Sequence, residues 1–317
     1  MIAALLVLLA VFDFQKSSAV DLFFTARARA AAAGYVPSGP KLQKAVDEVR
    51  RCEVELGGSA EWGIIEGALA GCETAADIKR TFGFFPEAYA YGDRSLKLRS
   101  ATLKLATALE GAEKEFLADV WPKHLATLNT KEASLTKTLG PGEKIWLGHL
   151  VTYLDFEMPT KPALMYLVAE APEPWGFTRL DRGSQPVIFL GVGNATGSTL
   201  AELAVHELIH ALDARQGADR GALRELRIHL NEAGIATGSS ESSRICHALM
   251  YIASGEVIKR IVSGQHHHFG ETYGTYGRMP EVAPSLLEWW RRYLDGTIDR
   301  EEMLASFVRE YVAAKKP

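Results

Sequence analysis

Five consecutive residues, His206-Glu207-Leu208-Ile209-His210, carry the side chains of this chain that are best suited to chemistry. On a helix, residues four apart lie one above the other, so both imidazoles project from the same face and can bind one metal ion. Zinc fits such ligands best, and a catalytic zinc keeps one coordination position for water. Glu207 stands next to the first ligand and is placed to accept that water's proton. The five residues therefore predict one Zn²⁺ ion and a base beside it.

The residues around this motif predict a helix buried in a core, with only its ligands turned toward a cleft. The flanking side chains are uncharged and compatible with a helix; they are Val205, Leu208, Ile209, Ala211 and Leu212. Asp213 follows His210 by about one turn, so we expect it to orient a ligand imidazole through a hydrogen bond.

Two short apolar segments, 163–168 and 186–192, precede the motif and predict buried strands, because they are rich in Val, Ile, Tyr and Phe and are bounded by Pro and Gly. The polar turn 193–199 then leads into the helix. Ser198 or Thr199 is the expected N-cap, and Glu202 is placed to complete a capping box. This order would let an edge strand lie beside the cleft, where an extended peptide could pair with it.

The strands followed by the segment Val205 to Asp213 resemble the zincin metallopeptidases. His210 is not followed by the His-x-x-Gly-x-x-His continuation of the metzincins. The chain is therefore similar to the gluzincin group, whose third ligand is a Glu on a later helix. The resemblance covers about residues 185–260. It implies zinc-dependent hydrolysis of a peptide or protein substrate by a water that Glu207 activates.

Two acidic residues are candidates for the third ligand that the resemblance implies. We prefer Glu256, because it lies in the apolar segment 245–258, where a carboxylate needs a partner or a metal. Its Gly-Glu step resembles the Gly-Glu-Asn segment of neprilysin-like enzymes, although Arg260 stands where those enzymes have Asp. The alternative is Glu232, whose Asn-Glu step resembles the Asn-Glu-Gly segment of gluzincin aminopeptidases. A charged stretch before it and a polar loop after it weigh against Glu232.

Several further residues have expected roles around the metal. His247 lies nine residues before Glu256 and half a turn out of phase with it, so it is expected in the core or in contact with substrate. Tyr273, Tyr276 and His268 are candidate donors to the oxyanion of a tetrahedral intermediate. The run of His266, His267 and His268 predicts an exposed loop.

Composition sets limits on function. The chain has 317 residues, of which 47% are hydrophobic and 23% charged, and its net charge is −4. Nucleic acid is not expected as a partner, because phosphate binding requires clustered Lys and Arg.

The N-terminus predicts export. The apolar run Ile2 to Phe12 and the small residues Ser17-Ser18-Ala19 are typical of a signal peptide over residues 1–19, cleaved after Ala19. The protein is then secreted or periplasmic. The run is too short to span a bilayer, so membrane association is expected only through an uncleaved N-terminal segment. A disulfide between Cys52 and Cys72 would suit such a compartment and would leave Cys246 unpaired.

The whole chain predicts a mostly helical α+β fold. We expect a helical region over residues 20–140, divided near Pro122 and ended by Gly140-Pro141-Gly142. A zincin-like catalytic region over residues 141–317 would follow, with a small sheet beside the metal helix and amphipathic helices at 284–293 and 299–314. Two alternatives to a peptidase stay open: a zinc-binding relative without catalysis, and a zinc hydrolase that acts on another bond.

Overall fold

The computed structural model describes residues 10–32, 39–56, 59–91, 94–171, 176–180, 185–217 and 219–315. The chain is mostly helical (67%) with a small mixed sheet of four strands, which confirms the predicted α+β class. The helices are α1 (Ser18–Ala31), α2 (Pro40–Leu56), α3 (Ser59–Gly67), α4 (Ala75–Gly83), α5 (Leu98–Asp119), α6 (Trp121–Leu139), α7 (Glu143–Leu154), α8 (Gly197–Gln216), α9 (Ala222–Glu232), α10 (Ser240–Val257), α11 (Phe269–Thr272), α12 (Ala283–Leu294) and α13 (Arg300–Ala314). The strands are β1 (Phe12–Gln15), β2 (Tyr89–Tyr91), β3 (Arg94–Leu96), β4 (Ala163–Val168), β5 (Gly176–Leu180) and β6 (Pro186–Gly191).

The main sheet has the order β1-β4-β6-β5, and β2 and β3 form a separate antiparallel pair. Strands β1, β4 and β6 run parallel, whereas β5 runs antiparallel to β6 at the edge. Strands β4 and β6 are the two that the sequence predicts, and both are interior. The edge strand beside the candidate site is β5, a segment that the sequence analysis missed.

The sheet separates two hydrophobic cores, because alternate residues of a strand point to opposite faces. Met165 and Ile188 belong to the core formed with helices α6 to α10, α12 and α13. Tyr166 and Phe189, their chain neighbours, belong to the core formed with helices α1 to α5. Burial on both faces explains why β4 and β6 are apolar throughout rather than alternating.

The boundary expected at residue 140 does not separate these two cores. Helix α6 begins next to Pro122, as predicted, but its Leu128 and Leu135 pack into the same core as helix α8, which carries the motif. The helical N-terminal packing unit therefore ends with α5, and both units share the sheet.

The segment expected to be a signal peptide is partly built into the fold. Phe12 to Gln15 pair in register with Ala163 to Tyr166 of β4, and Ser17 caps α1 by accepting a hydrogen bond from the Val20 backbone N–H. Cleavage after Ala19 would remove that strand and cap. Residues 1–9 lie outside the described residues, and export stays a prediction.

Two further findings concern the membrane and the cysteines. Within the described ranges, no helix has both the length and the apolar character that crossing a bilayer requires. Cys52, Cys72 and Cys246 are all buried free thiols, so the disulfide considered from the sequence is not formed.

Candidate metal centre

Helix α8 positions the motif. It is buried along most of its length, and it packs against β5, β6, α6 and α10. His206 is only 1% exposed and Glu207 only 5%. The helix therefore lies in the core, as the apolar residues around the motif predict. The expected capping box is absent: α8 begins after Thr196 without a side-chain cap, and Glu202 has other partners.

The imidazoles of three histidines converge at the inner face of α8. Nε2 of His206 lies 3.2 Å from Nε2 of His210 and 3.0 Å from Nε2 of His247, which comes from α10. One ligand atom from each of the three residues lies within 4.8 Å of those of the other two. Tetrahedral zinc with Zn–N bonds of about 2.0–2.1 Å separates its nitrogen ligands by about 3.3 Å. The two measured separations are close to this value, and three imidazoles are a suitable set of zinc ligands.

The surroundings keep these histidines neutral, which is the form that binds a metal. Burial lowers the pKa of His210 to about 4, and the neighbouring His247 and Arg227 add to the effect. Burial also lowers the pKa values of His206 and His247. Neutral imidazoles expose nitrogen lone pairs, so metal binding would need little or no proton release at neutral pH.

Glu207 lies beside the histidines and against the edge strand β5. Its Oε2 accepts a hydrogen bond of 2.7 Å from the Thr178 hydroxyl. Burial raises the pKa of the Glu207 carboxyl to about 7, although the hydrogen bond from Thr178 opposes the rise. Gly176 lets the strand approach this carboxylate closely, because a Cβ at that position would overlap it. The strand and the carboxylate are thus fitted to each other.

Tyr251 is the aromatic residue nearest the histidines. It lies one turn after His247 on α10, and its ring stacks on His206 with centroids 4.0 Å apart and planes 19° apart. Its other face contacts Phe269, which stacks on Tyr273. Burial raises the pKa of the Tyr251 hydroxyl to about 12, so it remains a donor at neutral pH. The stack fixes the ring beside the metal ligands.

These groups line one cavity of about 330 Å³. Its wall combines the three histidines, Glu207, Tyr251 and residues 176–178 of β5. A carboxylate, a phenol and three imidazoles therefore line the same space. Imidazoles beside a carboxylate are suited to a metal ion that carries a bound water.

The structure does not bring Glu256 to the two motif histidines. Its carboxylate accepts hydrogen bonds of 2.8 Å from both Arg260 and Arg291, and its Oε1 lies 3.3 Å from His268 Nε2. Burial acts to raise its pKa, but the hydrogen bonds from His268 and the two arginines outweigh burial and lower it to about 2. The buried carboxylate of Glu256 therefore has partners, as expected, but they are basic side chains of the same protein. Glu232 is 68% exposed and lies 3.7 Å from His229.

The expected oxyanion donors also lie outside the cavity wall. The Tyr276 hydroxyl is 3.0 Å from Nδ1 of His268, so these two residues belong to the buried group around Glu256. Tyr273 packs behind Phe269. Among the expected exposed histidines, only His267 is exposed. His266 is buried, and its Nε2 bonds to Glu202 at 2.6 Å, which fixes the loop against α8.

Asp213 does not orient a ligand imidazole as expected. Its carboxylate forms two hydrogen bonds with the Arg227 guanidinium, one of them 3.0 Å long. The pair joins α8 to α9 and places a cation beside His210.

The sequence left the role of His247 open and did not single out Tyr251 as a residue of the site. Their four-residue spacing on an apolar helix was the available signal, because it places both on one face. That face meets His206 and His210 because α10 packs along α8.

Comparisons with protein-family models, curated proteins and solved structures give no match. The functional interpretation therefore depends on the site alone.

Proposed function

We propose that the protein is a zinc-dependent hydrolase of peptide bonds, with His206, His210 and His247 as the metal ligands. The observation that carries the proposal is the convergence of three imidazole nitrogens with Glu207 in one cavity. The resemblance to zincins supports it through the motif, but the third ligand is a histidine in place of the Glu of gluzincins.

Bound zinc would lower the pKa of water and polarise the substrate carbonyl. Glu207 then accepts the proton of the attacking water as the new carbon–oxygen bond forms. It delivers that proton to the amine nitrogen as the carbon–nitrogen bond breaks. The position of Glu207 supports this role, because its carboxylate lines the same cavity as the three histidines.

Tyr251 replaces the donors expected from the sequence. Its ring is fixed on His206 and its hydroxyl stays protonated, so we assign it the hydrogen bond to the oxyanion that forms on the substrate carbonyl. A single donor of this kind contributes about 3 to 4 kcal/mol to transition-state stabilisation.

Strand β5 favours a peptide over another substrate. It is the edge of the main sheet, and residues 176–178 form part of the cavity wall. An extended peptide could add to such an edge through backbone hydrogen bonds. An ester or other small substrate would not use this edge.

Glu207→Gln tests the proposal. The zinc-loaded protein is assayed on a quenched fluorescent peptide library and on ester analogues, with Glu232→Gln as an exposed control. We expect Glu207→Gln to keep zinc and to lose at least about 100-fold in kcat, the range for general acid–base catalysis. We expect Glu232→Gln to match the wild type. Unchanged turnover in Glu207→Gln, or hydrolysis of esters without peptides, would refute the proposal.

A further inference from the structure

A second cavity, of about 570 Å³, adjoins the first. The two share His210 and His247, so both cavities reach these two histidines. The first cavity extends toward β5 and Glu207. The second extends toward the loop after α9 and the first turns of α10. A substrate that reacts at the histidines can therefore occupy both.

The second cavity is lined by two arginines and by hydroxyl groups. Arg227 and Arg244 face it together with Ser242 and Ser243, and Asp213 is the acidic residue of its wall. Each guanidinium has an acidic partner, Asp213 for Arg227 and Glu281 for Arg244, so the cavity offers positioned donors without an excess of positive charge.

Acidic partners hold both guanidinium groups in place. Arg227 is bound through both terminal nitrogens to Asp213, and Arg244 Nη2 lies 2.8 Å from Glu281. These ion pairs use part of each planar donor set, and the remaining N–H groups of a positioned guanidinium can donate to a second carboxylate with little loss of freedom. Serine hydroxyls beside it can donate to the same anion.

We propose that the second cavity is a subsite for a carboxylate of the substrate, bound by Arg227 and Arg244. This inference rests on the proposed function, because it assumes that the substrate reacts at the three histidines. The carboxylate is either the C-terminus of a peptide or an Asp or Glu side chain near the scissile bond. Both sources present the same two oxygens to the arginines.

Matched peptides separate the two sources. One pair carries a free or an amidated C-terminus, and a second series carries Glu or Gln at successive positions around the cleaved bond. With zinc-loaded wild type, we expect the preferred acidic peptide to exceed its neutral partner by about tenfold to a hundredfold in kcat/KM, as for charge-assisted hydrogen bonds. The pair with a free or amidated C-terminus alone responds if the enzyme is a carboxypeptidase.

Variants assign the preference to the cavity. Arg244→Gln should reduce the ratio toward one, mainly through KM. Arg227→Lys should weaken the preference while keeping a cation beside Asp213. The matched control is Arg80→Gln. Arg80 is 70% exposed and pairs with Asp77 on α4, a helix that packs on the other face of the sheet. That variant should keep the wild-type ratio. Equal rates on acidic and neutral peptides, or a preference that survives both cavity variants, would overturn the proposal.

A binding measurement tests the carboxylate subsite independently of peptide hydrolysis. Zinc-loaded protein is titrated calorimetrically with a peptide hydroxamate that carries either a terminal carboxylate or its amide. Tighter binding of the carboxylate form that Arg244→Gln abolishes supports the subsite even if no peptide is hydrolysed. In that case only the proposed function fails. Equal binding of the two probes overturns the subsite whether or not peptides are cleaved.

Discussion

Protonated His124 joins α6 to α1 and to the end of β4, and we expect it to make the folded state sensitive to alkaline pH. Its Nδ1 lies 2.6 Å from Asp21 Oδ2, and its Nε2 lies 3.1 Å from Glu170 Oε1. The imidazole is 13% exposed, and Asp21 is fully buried. Asp21 also accepts a hydrogen bond from the Ala169 backbone N–H. The histidine thus lies between two carboxylates, of which Glu170 is also bound by Arg29.

The sign and size of the effect follow from the pKa of His124. Burial acts to lower it, but hydrogen bonds to the Asp21 and Glu170 carboxylates outweigh burial and raise the pKa from 6.5 to about 9. A raised pKa stabilises the fold fully below pH 6.5, and this contribution is lost as pH rises through 9. A shift of this size corresponds to about 3 kcal/mol.

Denaturant unfolding of the wild type and of His124→Gln, from pH 6 to pH 10, measures this contribution. The difference in free energy of unfolding between the two proteins should fall by about 3 kcal/mol over that range, because Gln cannot titrate. His149→Gln is the control, since His149 is half-buried and packs on the ring of Tyr153. A difference that stays constant, or that grows with pH, would refute the charged bridge.

Three further changes test the site. Gly176→Ala places a methyl group where the Glu207 carboxylate lies. We expect the zinc content to stay the same and peptide turnover to fall. Unchanged turnover would show that strand β5 does not fix the position of Glu207. Tyr251→Phe keeps the stack on His206 but removes the donor, so kcat should fall by about 100-fold with little change in KM in steady-state assays; an equal kcat would exclude Tyr251 as the oxyanion donor. Glu256→Gln should lower the free energy of unfolding by about 2 kcal/mol in urea, because it breaks a buried ion pair with partly exposed arginines, and it should leave zinc content unchanged. Loss of zinc from a folded Glu256→Gln protein would show that Glu256 is a metal ligand.

The local parts of the site could be predicted from the sequence, because they depend on helical and strand periodicity alone. The four-residue spacing placed His206 and His210 on one face, and the apolar runs gave β4 and β6. The C-terminal helices α12 and α13 also lie where their patterns predict them. Each of these features is encoded within a few adjacent residues.

The approach of His247 to the two motif histidines could not be predicted, because it depends on which face of α10 meets α8. The half-turn offset between His247 and Glu256 meant that only one of them could face the motif. The apolar surroundings of Glu256 correctly required a partner, but they did not distinguish a metal from Arg260, four residues later, or Arg291 from α12. Strand β5 was missed for a similar reason, since its identity as an edge arises from pairing with β6.

Zinc content of the purified protein and its histidine variants tests the central claim most directly. After dialysis against a competing chelator, we expect one Zn²⁺ per chain in the wild type and in Glu232→Ala and His149→Ala. His247→Ala should bind zinc more than about 100-fold more weakly, since even a residue that only orients a ligand costs 10-fold to 100-fold. Wild-type zinc affinity in a folded His247→Ala protein would contradict the three-histidine centre.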